Sequence, residues 1–121
     1  MNRAQRVQRI AGWIMVVIAF IHLAVTFIDY DRLSLRALWF VGSGFALLLI
    51  GGLNVITSQL PSQPFAELKG LRSLTLVADL CGVSLGVLYV VLTSGRQPQG
   101  PVLVLLFALA GICQLQRDST R

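Results

Sequence analysis

Three polar side chains lie inside long apolar stretches of the sequence and are the first candidates for chemistry: His22, Asn54 and Asp79. A charged group at the centre of a membrane-spanning helix costs about 2.5 to 3.5 kcal/mol on insertion scales, so each such residue needs a physical explanation. An imidazole can relay protons or ligate a cofactor, and a carboxylate at the same depth can share a proton pathway with it. We therefore treat the three residues as a candidate intramembrane polar site.

His22 and Asp79 are predicted to lie at a similar depth and to be partners. At about 1.5 Å per residue, Asp79 is roughly 12 Å beyond Leu71, where its apolar stretch begins, and His22 is roughly 16 Å beyond Ala11. Structural interpretations stay open beside this functional one. His22 can hydrogen-bond a neighbouring helix, and Asp79 can be hydrated near the membrane surface or bonded by Thr75 one turn before it.

Asn54 and a row of small residues are predicted to act in helix packing. One interhelical hydrogen bond, about 0.6 to 2 kcal/mol, is enough to explain Asn54. Ala78, Gly82 and Gly86 have the small-x-x-x-small spacing that lets two helix backbones approach closely. Their contact is either internal or between protomers, and a unit this small favours internal packing. The expected opposing surface is formed by the glycines of the second apolar stretch, Gly42, Gly44, Gly51 and Gly52.

The residue types needed for a catalytic or metal site are scarce. The chain has one histidine, so haem held by two histidines of the same chain is excluded. Cys81 and Cys113 form neither a C-x-x-C motif nor a metal spacing with histidine. No apolar stretch contains paired carboxylates, and His22 has no serine and acid grouped with it. We assign no catalytic residue, no metal ligand and no cofactor, and an enzyme is the less favoured interpretation.

The whole chain, residues 1–121, is predicted to form a single membrane domain. Its 55% hydrophobic and 12% charged residues lie outside the composition of soluble domains. A spanning helix needs roughly 20 apolar residues, and four stretches come close: 11–28, 37–57, 71–93 and 101–115. We extend the short fourth stretch toward Gln99 and Gln116, with Pro101 in the first turn; a re-entrant segment is the alternative.

Short polar connections containing proline and glycine separate the four stretches. Connections this short make consecutive helices antiparallel neighbours. The predicted fold class is therefore all-α, a four-helix transmembrane bundle with short loops.

The distribution of lysine and arginine predicts the orientation. Placing both termini in the cytoplasm puts seven basic residues inside and three outside, as the positive-inside rule requires. Those inside are Arg3, Arg6, Arg9, Lys69, Arg72, Arg117 and Arg121, and those outside are Arg32, Arg36 and Arg96. The first stretch lacks a small-x-small cleavage site after it, which indicates an uncleaved helix rather than a signal peptide. We expect a multi-pass protein of the inner (plasma) membrane of a cell.

The net charge of +5 does not indicate a nucleic-acid partner, because the basic residues are dispersed and have no interleaved aromatic residues. The surrounding lipid bilayer is the predicted partner, together with either a second copy of the chain or another membrane protein.

A sequence pattern covering mainly the first two stretches resembles uncharacterised bacterial families of small four-helix integral membrane proteins. It consists of Ala11-Gly12-Trp13-Ile14, then His22, then Leu38-Trp39-Phe40-Val41-Gly42-Ser43-Gly44. The resemblance implies the four-helix fold and a bacterial inner membrane, and it brings no established activity. The plan is also similar in outline to DoxX-like and small multidrug resistance proteins. The latter have a glutamate in the first helix, where this chain has His22 and no acid, which argues against drug–proton antiport.

The leading functional hypothesis is a non-enzymatic membrane protein, either an accessory subunit or a membrane-stress factor, because its few polar groups can all be used in packing. The alternative is a small homo-oligomeric proton-coupled transporter in which Asp79 and His22 line a polar pathway. Four helices leave little room for a pore, so this alternative requires oligomerisation. A third hypothesis, a quinone- or lipid-binding redox helper, rests on His22 and nearby aromatic residues.

Overall fold

Four long helices make up the protein in the computed structural model, which describes residues 2–32, 34–61 and 66–119, without the side chains of 66, 67, 118 and 119. The helices are α1 (Arg3–Asp29), α2 (Leu35–Gln59), α3 (Ala66–Leu92) and α4 (Gln99–Ser119). All four are long and apolar enough, by length and composition, to cross a membrane. The predicted fold class, an all-α four-helix bundle with short loops, is confirmed.

Local signals explain where the helices begin and end. Asn2 caps α1 in a capping box with Gln5, and the Ser34 side chain accepts a hydrogen bond from the Ala37 amide at the start of α2. Ser94 and Gly95 have left-handed backbone angles, with φ of 52° and 68°, and the Gly95 amide donates to the Val90 carbonyl at 2.9 Å. These features supply hydrogen-bond partners for backbone groups that have none within their own helix at its ends.

All four helices extend beyond the apolar stretches into polar sequence, α1 and α3 by the most at their starts. α1 begins at Arg3 rather than near Ala11, and α3 begins at Ala66 rather than Leu71. The predicted extension of the fourth stretch is confirmed, because α4 begins at Gln99 and continues as an unbroken helix through Gln116. Polar residues continue a helix when they are capped or bonded to a neighbouring helix, and hydropathy alone does not detect this.

The helices pack as an antiparallel ring in chain order. α1 lies along α2 and α3 lies along α4, while α1 also packs against α4 and a smaller contact joins α2 to α3. Gly12 of α1 meets Gly51 of α2, whereas His22, further along α1, meets Gly44, so the two helices run in opposite directions. The predicted antiparallel neighbours are confirmed.

Apolar side chains fill the middle of the bundle and also cover its outside. Met15 and Ala110 are completely buried, at 0% exposure, in a core that includes Leu47 and Phe107. Large apolar side chains such as Phe27 face outward. An exterior this apolar matches a lipid solvent rather than water.

The small-residue row on α3 packs inside the bundle, but not against the helix that the sequence suggested. A Cβ placed on Gly82 would lie 2.7 Å from the Phe107 ring, and one on Gly86 would lie 2.7 Å from a methyl group of Val104. Both contacts are with α4, while Ala78 is half-buried. The expectation that α2 forms the opposing surface is wrong.

The glycines of α2 serve α1 instead. A Cβ on Gly51 would lie 2.9 Å from the Gly12 carbonyl oxygen, and a Cβ on Gly44 would lie 2.8 Å from Leu23. Gly42 and Gly52 have open space around them. The α1–α2 and α3–α4 pairs therefore each have their own small-residue seam, because Gly44, Gly51, Gly82 and Gly86 face the helix with which their own helix packs most closely.

Candidate functional site

Buried polar side chains from all four helices meet at one end of the bundle, where α1 and α3 begin and α2 and α4 end. We call this the terminal end. The side chains that form what we call the polar network are Gln8, Asn54, Thr57, Asp79, Gln114 and Arg117. Each is at most 2% exposed. Buried polar groups are costly unless they are hydrogen-bonded, so their partners decide what the network can do.

Gln8 is at the centre of the network. Its Nε2 lies 3.1 Å from Asn54 Oδ1, 3.2 Å from Thr57 Oγ1 and 3.1 Å from Gln114 Oε1. A side-chain amide has two N–H donors, so one of them is shared between two of these three acceptors. Its own Oε1 accepts a hydrogen bond from Arg117 at 3.0 Å. One side chain of α1 thus joins α2 and α4 at a single level of the bundle.

Asp79 enters the network through Asn54. The Asn54 amide donates to Asp79 Oδ1 at 2.7 Å, and both residues are almost completely buried. Thr75 does not bond this carboxylate, because its hydroxyl donates to the Leu71 carbonyl at 2.9 Å. Hydration from the surface is also ruled out by the 1% exposure of Asp79. The structure thus brings together two of the three predicted polar residues, Asn54 and Asp79.

The second carboxylate oxygen of Asp79, Oδ2, is enclosed and has no hydrogen-bond partner within the described part of the chain. Gly111 of α4 lies beside the carboxylate stem, since a Cβ placed on that glycine would lie 3.6 Å from the Asp79 Cβ. We call Oδ2 the open oxygen, because it is the acceptor of this carboxylate that the polar network does not use.

Arg117 closes the end of α2. Its NH1 donates to the Thr57 carbonyl at 3.1 Å and its NH2 to the Leu60 carbonyl at 2.8 Å. Gln5 also donates to the Leu60 carbonyl, at 3.1 Å. A cation at a helix C-terminus satisfies carbonyls that lack intrahelical partners and interacts favourably with the helix dipole.

Arg72 and Arg117 were interpreted from the sequence as charges beside the spans that set topology. Both lie at the terminal end of the bundle and both are buried, at 4% and 2% exposure. Gln114 donates to the Arg72 carbonyl, which connects α4 to α3 below Asp79. The two arginines are therefore part of the packed interior as well as part of the charge distribution.

Sequence reasoning missed Gln8, Thr57, Gln114 and the inward placement of Arg117. Their signal is the helical spacing: Gln5 and Gln8 continue the buried row of α1, and Gln114 and Arg117 continue that of α4. Counting apolar residues discards these positions, because Gln8 and Arg117 fall outside the apolar stretches and Thr57 and Gln114 stand at the ends of theirs.

His22 forms a separate site. Its Nε2 lies 3.0 Å from the Phe40 carbonyl oxygen and 3.0 Å from Ser43 Oγ, and its ring stacks on Phe40 with a centroid separation of 3.7 Å. This is the interhelical bond that the structural interpretation of His22 predicts. The site joins α1 to α2 in the half of the bundle opposite the terminal end.

The structure does not bring His22 to Asp79, and the expected partnership is wrong. Asp79 joins Gln8 only through Asn54, whereas His22 lies fourteen residues beyond Gln8 on α1 and bonds Phe40 and Ser43 of α2. The depth estimate fails because the first and third apolar stretches begin at different levels: Gln114 bonds both Gln8 of α1 and the Arg72 carbonyl of α3, so the third stretch begins beside Gln8 rather than beside Ala11.

Metal-ligand chemistry has little basis in the described residues. Within those ranges no group of three or more histidine, cysteine, aspartate or glutamate side chains is placed to hold a metal ion. Cys81 is exposed on the lipid-facing side, Cys113 is buried, and both are free thiols. The polar network can hydrogen-bond and can pack helices, and within the described residues Asp79 Oδ2 is its enclosed carboxylate oxygen without a partner.

Comparisons extend the description no further. The chain matches no protein-family model, no curated protein and no solved structure at a significant level. The conclusion that the fold and the site carry is that this chain is a small four-span integral membrane protein with a buried polar network at one end.

Proposed function

We propose that this protein is a non-enzymatic membrane protein that acts as an accessory subunit, with its outer, lipid-facing surface as the working surface. The observation that carries the proposal is the use of the interior polar groups in holding helices together. Gln8, Asn54, Gln114 and Arg117 each bond a different helix from their own. A role in membrane stress, by altering the packing of the surrounding bilayer, is compatible with the same surface.

The packing of the middle of the bundle supports this proposal over conduction through a single chain. Met15, Ala19 and Phe107 are buried in the apolar core between the polar network and His22. A proton needs a chain of polar groups or water to cross such a layer, and these apolar side chains supply no polar group. The two polar sites are thus used locally.

The second candidate is a homo-oligomeric proton-coupled transporter, and the open Asp79 Oδ2 is the observation that favours it. A buried carboxylate oxygen without a partner is a natural proton acceptor. The pathway would have to run between protomers, because the core of one bundle blocks it. Small bacterial four-helix proteins, which the first two helices resemble, make the inner membrane the proposed location for either function.

The two candidates are separated by reconstitution into proteoliposomes carrying an internal pH dye. An accessory protein gives the same proton leak as empty liposomes, at every imposed gradient and in the presence of candidate solutes. Proton or solute flux that Asp79→Asn abolishes, or substrate turnover that requires His22 or Asp79, would overturn the proposal.

A partner protein is sought with a photo-crosslinking amino acid placed on the exterior of the bundle. Leu49, which is 68% exposed, is the test position, and Leu47 on the same helix, which is 7% exposed, is the matched control. We expect a discrete protein adduct in native membranes from position 49 and none from position 47. Adducts with lipid alone at all exterior positions would argue against a protein partner.

The cytoplasmic placement of both termini is part of the proposal. It is supported by the exposed Arg3, Arg6 and Lys69, which lie at the terminal end and favour the cytoplasmic side. Reporter domains fused after residue 121 and before residue 1 test it. Reporters active only outside the cytoplasm should give no signal. A signal from either fusion would show that its terminus lies outside the cytoplasm and would contradict the proposed orientation.

A further inference from the structure

The hydrogen bonds around His22 define which ring nitrogen carries a proton. The Ser43 hydroxyl donates its only hydrogen to the Phe40 carbonyl at 2.7 Å, so Ser43 Oγ can only accept from the imidazole. The Phe40 carbonyl is also an acceptor. Because Nε2 lies 3.0 Å from both oxygens, it must carry the hydrogen.

The other ring nitrogen, Nδ1, is then an acceptor in the neutral imidazole. No group in the described residues hydrogen-bonds Nδ1. The His22 side chain is half-buried, and its packing leaves Nδ1 accessible from outside the bundle. The edge of the ring bearing Cδ2 faces α2, with Cδ2 3.2 Å from the position of a Cβ on Gly44. Nδ1 lies on the other side of the ring and opens toward the exterior of the bundle.

An open acceptor at this depth is unfavourable in lipid. His22 is seven residues before Asp29, the end of α1, which places it about 10 Å along the helix from that end. Hydrocarbon supplies no hydrogen-bond donor, and an unpaired polar group there costs on the order of several kcal/mol. A ligand that reaches this depth from the bilayer and offers a donor would remove that cost.

We propose that His22 Nδ1 is a binding site for the hydroxyl group of a membrane-soluble ligand, with the O–H donating to Nδ1 in the plane of the imidazole. Phe40 covers one face of the ring and Tyr30 lies beside Phe40, with ring centroids 5.8 Å apart, so an aromatic surface adjoins the acceptor. The hydroxyl can come from an isoprenoid-type hydroquinone or from the headgroup of a hydroxylated phospholipid. The site is independent of the polar network and of the proposed accessory function.

The single histidine of the chain makes this proposal directly testable by NMR. The full chain, labelled with ¹⁵N-histidine, is placed in phosphatidylcholine nanodiscs, whose headgroup has no hydroxyl donor. The ligand-free spectrum should show one protonated nitrogen, Nε2, and one unprotonated nitrogen, Nδ1. The probes are a decyl-substituted benzohydroquinone, its oxidised quinone with no O–H donor, and phosphatidylglycerol in place of part of the phosphatidylcholine.

We expect the Nδ1 resonance to shift saturably with the hydroquinone and not with the quinone, because only the former can donate. A shift with phosphatidylglycerol alone assigns the same site to a lipid hydroxyl. His22→Leu should weaken hydroquinone binding by about five- to tenfold in a fluorescence titration, the effect of losing one hydrogen bond. Leu49→Ala on the exterior of α2 is the control and should leave that affinity unchanged.

Either of two results would overturn the proposal. One is a proton on Nδ1 in the ligand-free protein, and the other is an Nδ1 resonance that stays in place at saturating concentrations of both hydroxyl probes. Because these spectra are recorded on the unmodified chain, the outcome does not depend on whether the His22 variant folds.

Discussion

Replacing Gln8 by leucine should be among the most damaging single changes to the bundle. The change keeps the size of the side chain and removes both its donors and its acceptor. Asn54, Thr57 and Gln114 lose the Nε2 donor, and Arg117 loses one acceptor. All of these groups are buried, so lipid and water cannot replace the lost partner.

The magnitude follows from the number of bonds. Two N–H bonds inside a membrane protein contribute about 0.6 to 1.7 kcal/mol each. The bond from a charged guanidinium adds about 1.5 to 3 kcal/mol, and the apolar leucine returns about 1 kcal/mol through its own packing. We expect Gln8→Leu to lower the free energy of unfolding by about 2 to 5 kcal/mol, allowing for non-additive terms.

Gln59→Leu is the matched control. Gln59 is exposed and lies at the same end of the bundle, and within the described residues it donates only to the Val55 carbonyl of its own helix, at 3.3 Å. The chemical change is identical, but no contact between helices is lost. Its effect on the free energy of unfolding should stay within about 0.5 kcal/mol.

Reversible unfolding in mixed micelles measures both variants. The protein is titrated with sodium dodecyl sulfate, and unfolding is followed by far-ultraviolet circular dichroism together with the fluorescence of Trp13 and Trp39. Losses for Gln8→Leu and Gln59→Leu that agree within 0.5 kcal/mol would refute the reasoning, because the network would then contribute nothing beyond a surface glutamine. A double-mutant cycle with Arg117→Met should show a coupling above about 0.5 kcal/mol.

Two further substitutions test the carboxylate and the glycine seam by the same titration. Asp79→Asn keeps an oxygen to accept the hydrogen bond from Asn54 and removes a buried acid. The free energy of unfolding should therefore stay the same or rise by up to about 1 kcal/mol. A decrease of more than about 1 kcal/mol would show that the charge itself is needed. Gly12→Ala places a Cβ 2.8 Å from the Gly51 carbonyl oxygen and should lower the free energy of unfolding by about 2 kcal/mol or more. Gly42 has open space around it, so Gly42→Ala should stabilise α2 by about 0.5 to 1 kcal/mol. Equal effects of the two alanines would contradict the close approach of α1 and α2.

Residues at the ends of the apolar stretches show where sequence reasoning stops. Asn2 and Ser34 are capping residues, yet the predicted stretches begin well inside them, because hydropathy registers lipid contact and not helix formation. α1 therefore carries Gln5 and Gln8 in a part of the helix that lies before the predicted apolar stretch. The bonds of Gln114 with Gln8 and with the Arg72 carbonyl show that the first and third stretches begin at different levels, which explains the error in the relative depth of His22 and Asp79.

Partner choice among small residues was also beyond the sequence. Gly82 and Gly51 both mark close helix contacts, and nothing in the neighbouring sequence says which helix each one faces. Gly82 meets Phe107 of α4 and Gly51 meets Gly12 of α1, because ring order and helix rotation decide which surfaces come together.

Local hydropathy and charge were sufficient to predict an all-α bundle of four apolar helices, because the cost of burying a backbone group or a charge in lipid is a property of each segment alone. The polar network could not be predicted in this way. Gln8 and Arg117 are separated by 109 positions, and whether their side chains are exposed tails or a buried pair depends on how α1 rotates against α4. That rotation is set by the packing of Met15, Phe107 and their neighbours, and packing is a property of the assembled bundle rather than of any one helix.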